Sequence, residues 1–128
     1  MMGHYLVNTL WECELACPYC LLPHIAINRT APRHNWAEWA VALERYTPVG
    51  SILDFGGGDP FLFNGLGYML RHLAVRGRRW ALTTPATSTA GVDALLRMRL
   101  EGCVVINVSD HPGTYEADGN IRRLQSAY

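Results

Sequence analysis

Cys13, Cys17 and Cys20 fall within eight residues, and the chain has one further cysteine, Cys103. The spacing C-x3-C-x2-C lets one loop bring three thiolates to a single metal centre. A structural zinc site is closed by four protein ligands. Zinc here would need a fourth from Cys103, in a strand-like run, or from a histidine such as His24, and neither falls at a familiar spacing. An iron–sulfur cluster held by three cysteines has one iron with no protein ligand, which leaves room for a small molecule on the metal. In a reducing compartment, clustered thiols serve more often as metal ligands or redox groups than as structural disulfides.

Three other segments carry residues suited to ligand contact. In "FGGGDPFLF", Gly57 and Gly58 permit positive φ and close backbone approach, and Asp59 and Pro60 lead into the next helix. In "VINVSDHPG", Ser109 and Asp110 follow an apolar run, and His111 beside them is a possible proton donor. The segment Thr84-Pro85-Ala86 follows another such run and points less clearly to a ligand. Tryptophans and Met69 fall at helical spacing and read as core packing.

Four short β-rich runs precede these segments: "HYLVNTL" (4–10), "SILDF" (51–55), "RWALTT" (79–84) and "CVVINV" (103–108). Most lack the alternation of a half-exposed strand, which predicts buried parallel strands. Between them lie amphipathic helices. Asn35 and Glu38 form a capping box at the start of the first, whose apolar face takes Trp36, Trp39, Leu43 and Tyr46. The second carries Leu66, Met69, Leu70 and Leu73 and stops near Gly77. The third carries Val92, Leu95, Leu96 and Arg99 and stops near Gly102, both glycines suiting a C′ position. "NIRRLQSAY" reads as a final helix. This β, α alternation predicts an α/β fold with parallel strands, a doubly wound sheet or part of a (βα) barrel. Parallel strands place the cysteine segment and the turns at 57–60, 84–87 and 109–113 at one edge, the carboxyl end where such folds carry their active sites.

The cysteine segment "CELACPYC" resembles the radical S-adenosylmethionine (radical SAM) signature C-x3-C-x-aromatic-C, with Tyr19 as the aromatic residue. "GGGDP" is similar to that family's G-G-E-P turn, and "VINVSDHPG" to the segment that meets the cofactor's ribose. The resemblance implies a [4Fe-4S] cluster on Cys13, Cys17 and Cys20. It also implies S-adenosylmethionine contacts from Gly57, Gly58, Asp59, Pro60, Ser109 and Asp110, with Tyr19 near the adenine. The implied reaction is reductive cleavage of S-adenosylmethionine to a 5′-deoxyadenosyl radical that takes hydrogen from a substrate, with a reductant such as flavodoxin or ferredoxin. The chain departs from the family where a T-N-G type turn is replaced by Thr84-Pro85-Ala86, and where Glu12 and Glu14 flank the first cysteine.

The resemblance also implies a partial barrel, of which this chain supplies about four βα units. Residues 1–128 read as one incomplete core domain, and the exposed last strand predicts self-association or a completing protein partner. The alternative is a noncatalytic zinc or iron–sulfur module, or a scaffold that keeps only the cluster loop. Composition narrows the partners. Eleven basic and eleven acidic residues cancel, so no net field favours nucleic acid. Every basic residue is arginine, which removes a Schiff-base lysine from the possible mechanisms. No transmembrane stretch or signal-like start is present in the sequence, and the expected location is cytoplasmic.

Overall fold

The computed structural model describes residues 3–9, 34–56, 59–108 and 115–127. Its elements alternate: β1 (His4–Val7), α1 (Trp36–Tyr46), β2 (Ile52–Phe55), a short 3-10 helix (Pro60–Leu62), α2 (Leu66–Val75), β3 (Arg79–Thr84), α3 (Thr89–Arg97), β4 (Cys103–Val108) and α4 (Tyr115–Ala127). All pairings are parallel, and the strand order in space is the order in sequence, β1-β2-β3-β4. Among the described strands there is no reversal of order of the kind that defines a doubly wound sheet.

The expected strands are present, with two trimmed. β3 and β4 match their apolar runs, whereas β1 ends at Val7 because its partner β2 ends at Phe55; the Gly56 N–H closes the ladder on the Val7 carbonyl at 3.1 Å. The row Val7, Phe55, Leu82, Ile106 points toward the helices, and Phe55 and Leu82 are fully buried there with Leu53 and Trp80. Each such side chain contributes about 2 kcal/mol of apolar burial. The neighbouring row Leu6, Asp54, Ala81, Val105 lies on the other face. Leu6 is 79% and Val105 40% exposed there, whereas Ala81 between them is buried, so this face is open at the outer strands among the described residues, where burial on both faces was expected. A register shift in the β3–β4 ladder sets Trp80 opposite Cys103 and Ala81 opposite Val105, which turns both Cys103 and Ile106 onto the core.

The capping box forms at α1 as read: the Asn35 side chain accepts the Glu38 N–H at 2.8 Å, and the Glu38 carboxyl accepts the Asn35 N–H at 3.0 Å. The buried stripe of α1 runs through Ala40, Leu43 and Thr47, with Trp36 and Trp39 half-buried. Tyr46 was expected on that stripe but is 73% exposed. At 100° per residue it stands about 60° from Leu43, on the rim, beneath the Arg45 guanidinium. In α2, Leu66, Met69, Leu70 and Leu73 are all buried, as the spacing predicts.

The two helix ends differ in an instructive way. α2 ends in a Schellman motif at Gly77 (φ 83°), with the Arg78 N–H on the Leu73 carbonyl and the Gly77 N–H on the Ala74 carbonyl. α3 ends earlier than Gly102. Its motif uses Arg99 at φ 56°, with the Leu100 N–H on the Leu95 carbonyl and the Arg99 N–H on the Leu96 carbonyl. Gly102 (φ 80°) instead makes the turn into β4, where a Cβ would meet Ala74 at 2.7 Å. At the same amino edge of the sheet, buried Arg78 donates to the Glu44 and Thr47 carbonyls, both at 2.7 Å, and satisfies the end of α1.

Two substitutions with opposite signs test these caps. Arg99→Gly should raise stability by about 1 kcal/mol in urea unfolding, because exposed Arg99 occupies a left-handed position. Gly77→Ala should lower it by a similar amount or more, since a Cβ there adds a 2.8 Å contact with Val49.

Candidate functional site

Because the strands run parallel, the segments that follow them leave from one edge. That edge receives the segments after Val7, Phe55, Thr84 and Val108. Of the expected site residues, Asp59 and Pro60 are described. Cys13, Cys17, Tyr19, Cys20, Gly57, Gly58, Ser109 and Asp110 lie outside the described residues, as do Glu12, Glu14, His24 and His111.

Asp59 is 1% exposed, and its carboxyl faces the protein interior. Oδ1 accepts the Phe61 N–H at 3.1 Å, which caps the 3-10 helix, and the Thr84 hydroxyl at 2.7 Å. Pro60 is buried at the first helical position, where its missing N–H costs nothing. A ligand reaching this turn would therefore meet backbone rather than the Asp59 carboxyl. Gly56, just before the turn, has no left-handed φ, and no described atom lies within 4 Å of where its Cβ would be. Among the described residues, neither backbone conformation nor packing requires a glycine there.

The network continues through the loop after β3. Thr84 Oγ1 also accepts the Ala86 N–H at 3.1 Å, and Ala86, fully buried, adopts a left-handed φ of 59°. An L-residue pays about 1 kcal/mol for that conformation, and glycine in a T-N-G type turn would not. The Ala86 carbonyl accepts from Asn120 Nδ2 at 2.8 Å, which ties α4 to the same loop. Thus Asp59, Thr84, Ala86 and Asn120 join the second, third and fourth βα units by buried hydrogen bonds.

Sequence reading had undervalued Thr84 and passed over Asn120. The available signal was polarity on an apolar stripe: Asn120 stands one turn before Leu124, and both are buried. α4 also begins at Tyr115, five residues before "NIRRLQSAY".

Cys103, a candidate fourth zinc ligand, lies at the amino end of β4, on the opposite outer strand from β1. Cys103 thus stands at the amino end of its strand, whereas the segment that carries the other three cysteines leaves β1 at its carboxyl end and lies outside the described residues. Burial pushes its thiol up from 9.0 to about 11, which keeps it protonated and a poor ligand near neutral pH. Among the described residues no group of three or more His, Cys, Asp or Glu side chains is placed to hold a metal ion, and no helix is long and apolar enough to cross a membrane.

No protein-family model, curated protein or solved structure matches this chain. What stands on the page is an α/β chain with a four-stranded parallel sheet and four described helices.

Thr84→Val keeps the shape but removes both hydroxyl bonds, and should cost about 2 kcal/mol in urea unfolding. Asn120→Ala should cost about 1 kcal/mol, and the two losses should be less than additive in the double variant. For Cys103, the native state retains a proton that the unfolded chain loses above pH 9. Stability should therefore fall as pH rises from about 9 through about 11, and Cys103→Ala should flatten that fall.

Proposed function

We propose that this chain is a radical S-adenosylmethionine iron–sulfur enzyme, with Cys13, Cys17 and Cys20 holding a [4Fe-4S] cluster at the carboxyl edge of a partial (βα) barrel. The observation that carries this reading is the parallel, sequence-ordered sheet. The carboxyl ends of all four strands lie at one edge, which is consistent with the three-cysteine segment, the glycine-rich turn and the Ser109–Asp110 segment sharing it. Strand order favours barrel over doubly wound topology, since adjacent parallel units in sequence order are what a barrel repeats. Packing of Cys103 against the core, which keeps its thiol protonated, counts against a four-cysteine zinc site.

The donor set suits such a cluster, because three thiolates leave one iron open to a chelating ligand. When bound and reduced, the cluster would supply one electron to the sulfonium of S-adenosylmethionine, releasing methionine and a 5′-deoxyadenosyl radical for hydrogen abstraction from a substrate. The chain's own part is to bind, orient and exclude water. Gly57 and Gly58 would offer backbone to the methionyl end, on a turn anchored one residue later by the Asp59–Thr84 bond. Ser109 and Asp110 would meet the ribose hydroxyls, and Tyr19 the adenine. The open sheet face, with the His4–Asp54 pair at 3.4 Å, would line the barrel interior. β4 is an outer strand among the described ones, and further strands, from this protein, a second copy or a partner, would extend the wall beside it. A small electron-transfer protein such as flavodoxin or ferredoxin would reduce the cluster in a cytoplasmic setting.

Anaerobic reconstitution tests the proposal. The purified chain should take up about four irons and four sulfides. With dithionite it should convert S-adenosylmethionine to 5′-deoxyadenosine. Cys17→Ala should abolish the cluster absorbance and Cys103→Ala should retain it. Stoichiometric zinc, with no cleavage and loss of metal only on changing Cys103, would overturn the reading in favour of a noncatalytic metal-binding module.

A further inference from the structure

A groove of about 540 Å³ lies between α2 and α3, on the helix layer, and no strand residue and no member of the Asp59–Thr84–Asn120 network lines it. Its volume falls in the range of small-molecule sites. The floor is set by a close helix contact: a Cβ on Gly67 would stand 3.3 Å from the Ala94 Cβ, so the two backbones approach without intervening side chains. Phe61 and the exposed ring of Tyr68 supply apolar walls.

The charge at the rim is one-sided. Arg71 and Arg97 both line the groove, and no acidic side chain does. Each stands one turn beyond the floor contact, Arg71 four residues after Gly67 and Arg97 three after Ala94, so their side chains share a level. Asp93, one turn before Arg97, would be its natural partner but is paired with Arg123 of α4. Neither guanidinium has an ion-pair or hydrogen-bond partner among the described residues, whereas Arg76 is paired with Glu44 at 3.1 Å. Two like charges beside an apolar, half-enclosed groove complement a ligand with an apolar body and one anionic head, which forked guanidinium donors bind well.

We propose that this groove binds an amphipathic organic acid, with its apolar body over the Gly67–Ala94 floor against Phe61 and Tyr68 and its anionic head between Arg71 and Arg97. The groove adjoins the turn at Asp59 through Phe61 but opens on the helix layer, and its two arginines do not depend on the cluster.

The test uses the full chain and the fluorescent probe 8-anilinonaphthalene-1-sulfonate, followed by displacement with decanoate. The probe should bind at one saturable site and decanoate should displace it. Its uncharged counterpart, N-phenyl-1-naphthylamine, should bind at least about tenfold more weakly, which tests the charge requirement without any variant. Arg71→Ala/Arg97→Ala, both at exposed positions, and Ala90→Trp, which fills the groove from an exposed position, should each weaken the probe at least about tenfold. Equal affinity for the neutral probe, failure of decanoate to displace, or unchanged affinity in either variant would overturn the proposal.

Discussion

One-directional pairing of four strands in sequence order is the constraint on which the rest depends. Every strand enters the sheet from the same edge, so every connection must return across the helix layer and every following turn must leave from the opposite edge. The β2–β3 ladder anchors the arrangement, because Leu53 pairs with Trp80 and Phe55 with Leu82, and all four side chains are fully buried. A hydrogen bond from Trp80 Nε1 to the Glu101 carbonyl at 2.6 Å then holds the approach to β4. The same directionality makes the carboxyl edge the place from which the segments after all four strands leave.

The two edges of the sheet are built differently. The amino edge is closed by caps: Gly77 in its Schellman motif, Arg78 on the last carbonyls of α1, and Gly102 packed against Ala74. These features satisfy helix ends and serve stability. The carboxyl edge holds a buried polar network and a left-handed alanine. Buried polar groups are worth little net once satisfied, and a strained residue carries a cost. What they provide is a fixed relation between turns from different βα units.

Much of this was legible because it is local. The capping box at Asn35, the Leu66–Leu73 stripe and the runs forming β3 and β4 follow from nearest-neighbour chemistry. What escaped sequence reading depends on distant residues. Glycine is the better left-handed residue, yet α3 closes on Arg99 because Gly102 is needed where Ala74 leaves no space for a side chain. Thr84 meets Asp59 across 25 positions, and Asn120 meets Ala86 across 34; no periodicity announces either bond. The open sheet face was missed because an apolar run reads the same whether one face is covered or both. Of the candidate site, only Asp59–Pro60 falls within the described residues, and there the Asp59 carboxyl holds the turn in place.

The proposed cluster would hold one iron without a protein ligand. Electron paramagnetic resonance of the reconstituted, reduced protein reports on that iron directly. Adding S-adenosylmethionine labelled with ¹⁷O in its carboxylate and ¹⁵N in its amino group should change the g values and introduce hyperfine coupling from both labels. An unchanged spectrum with no coupling from either label would contradict the claim.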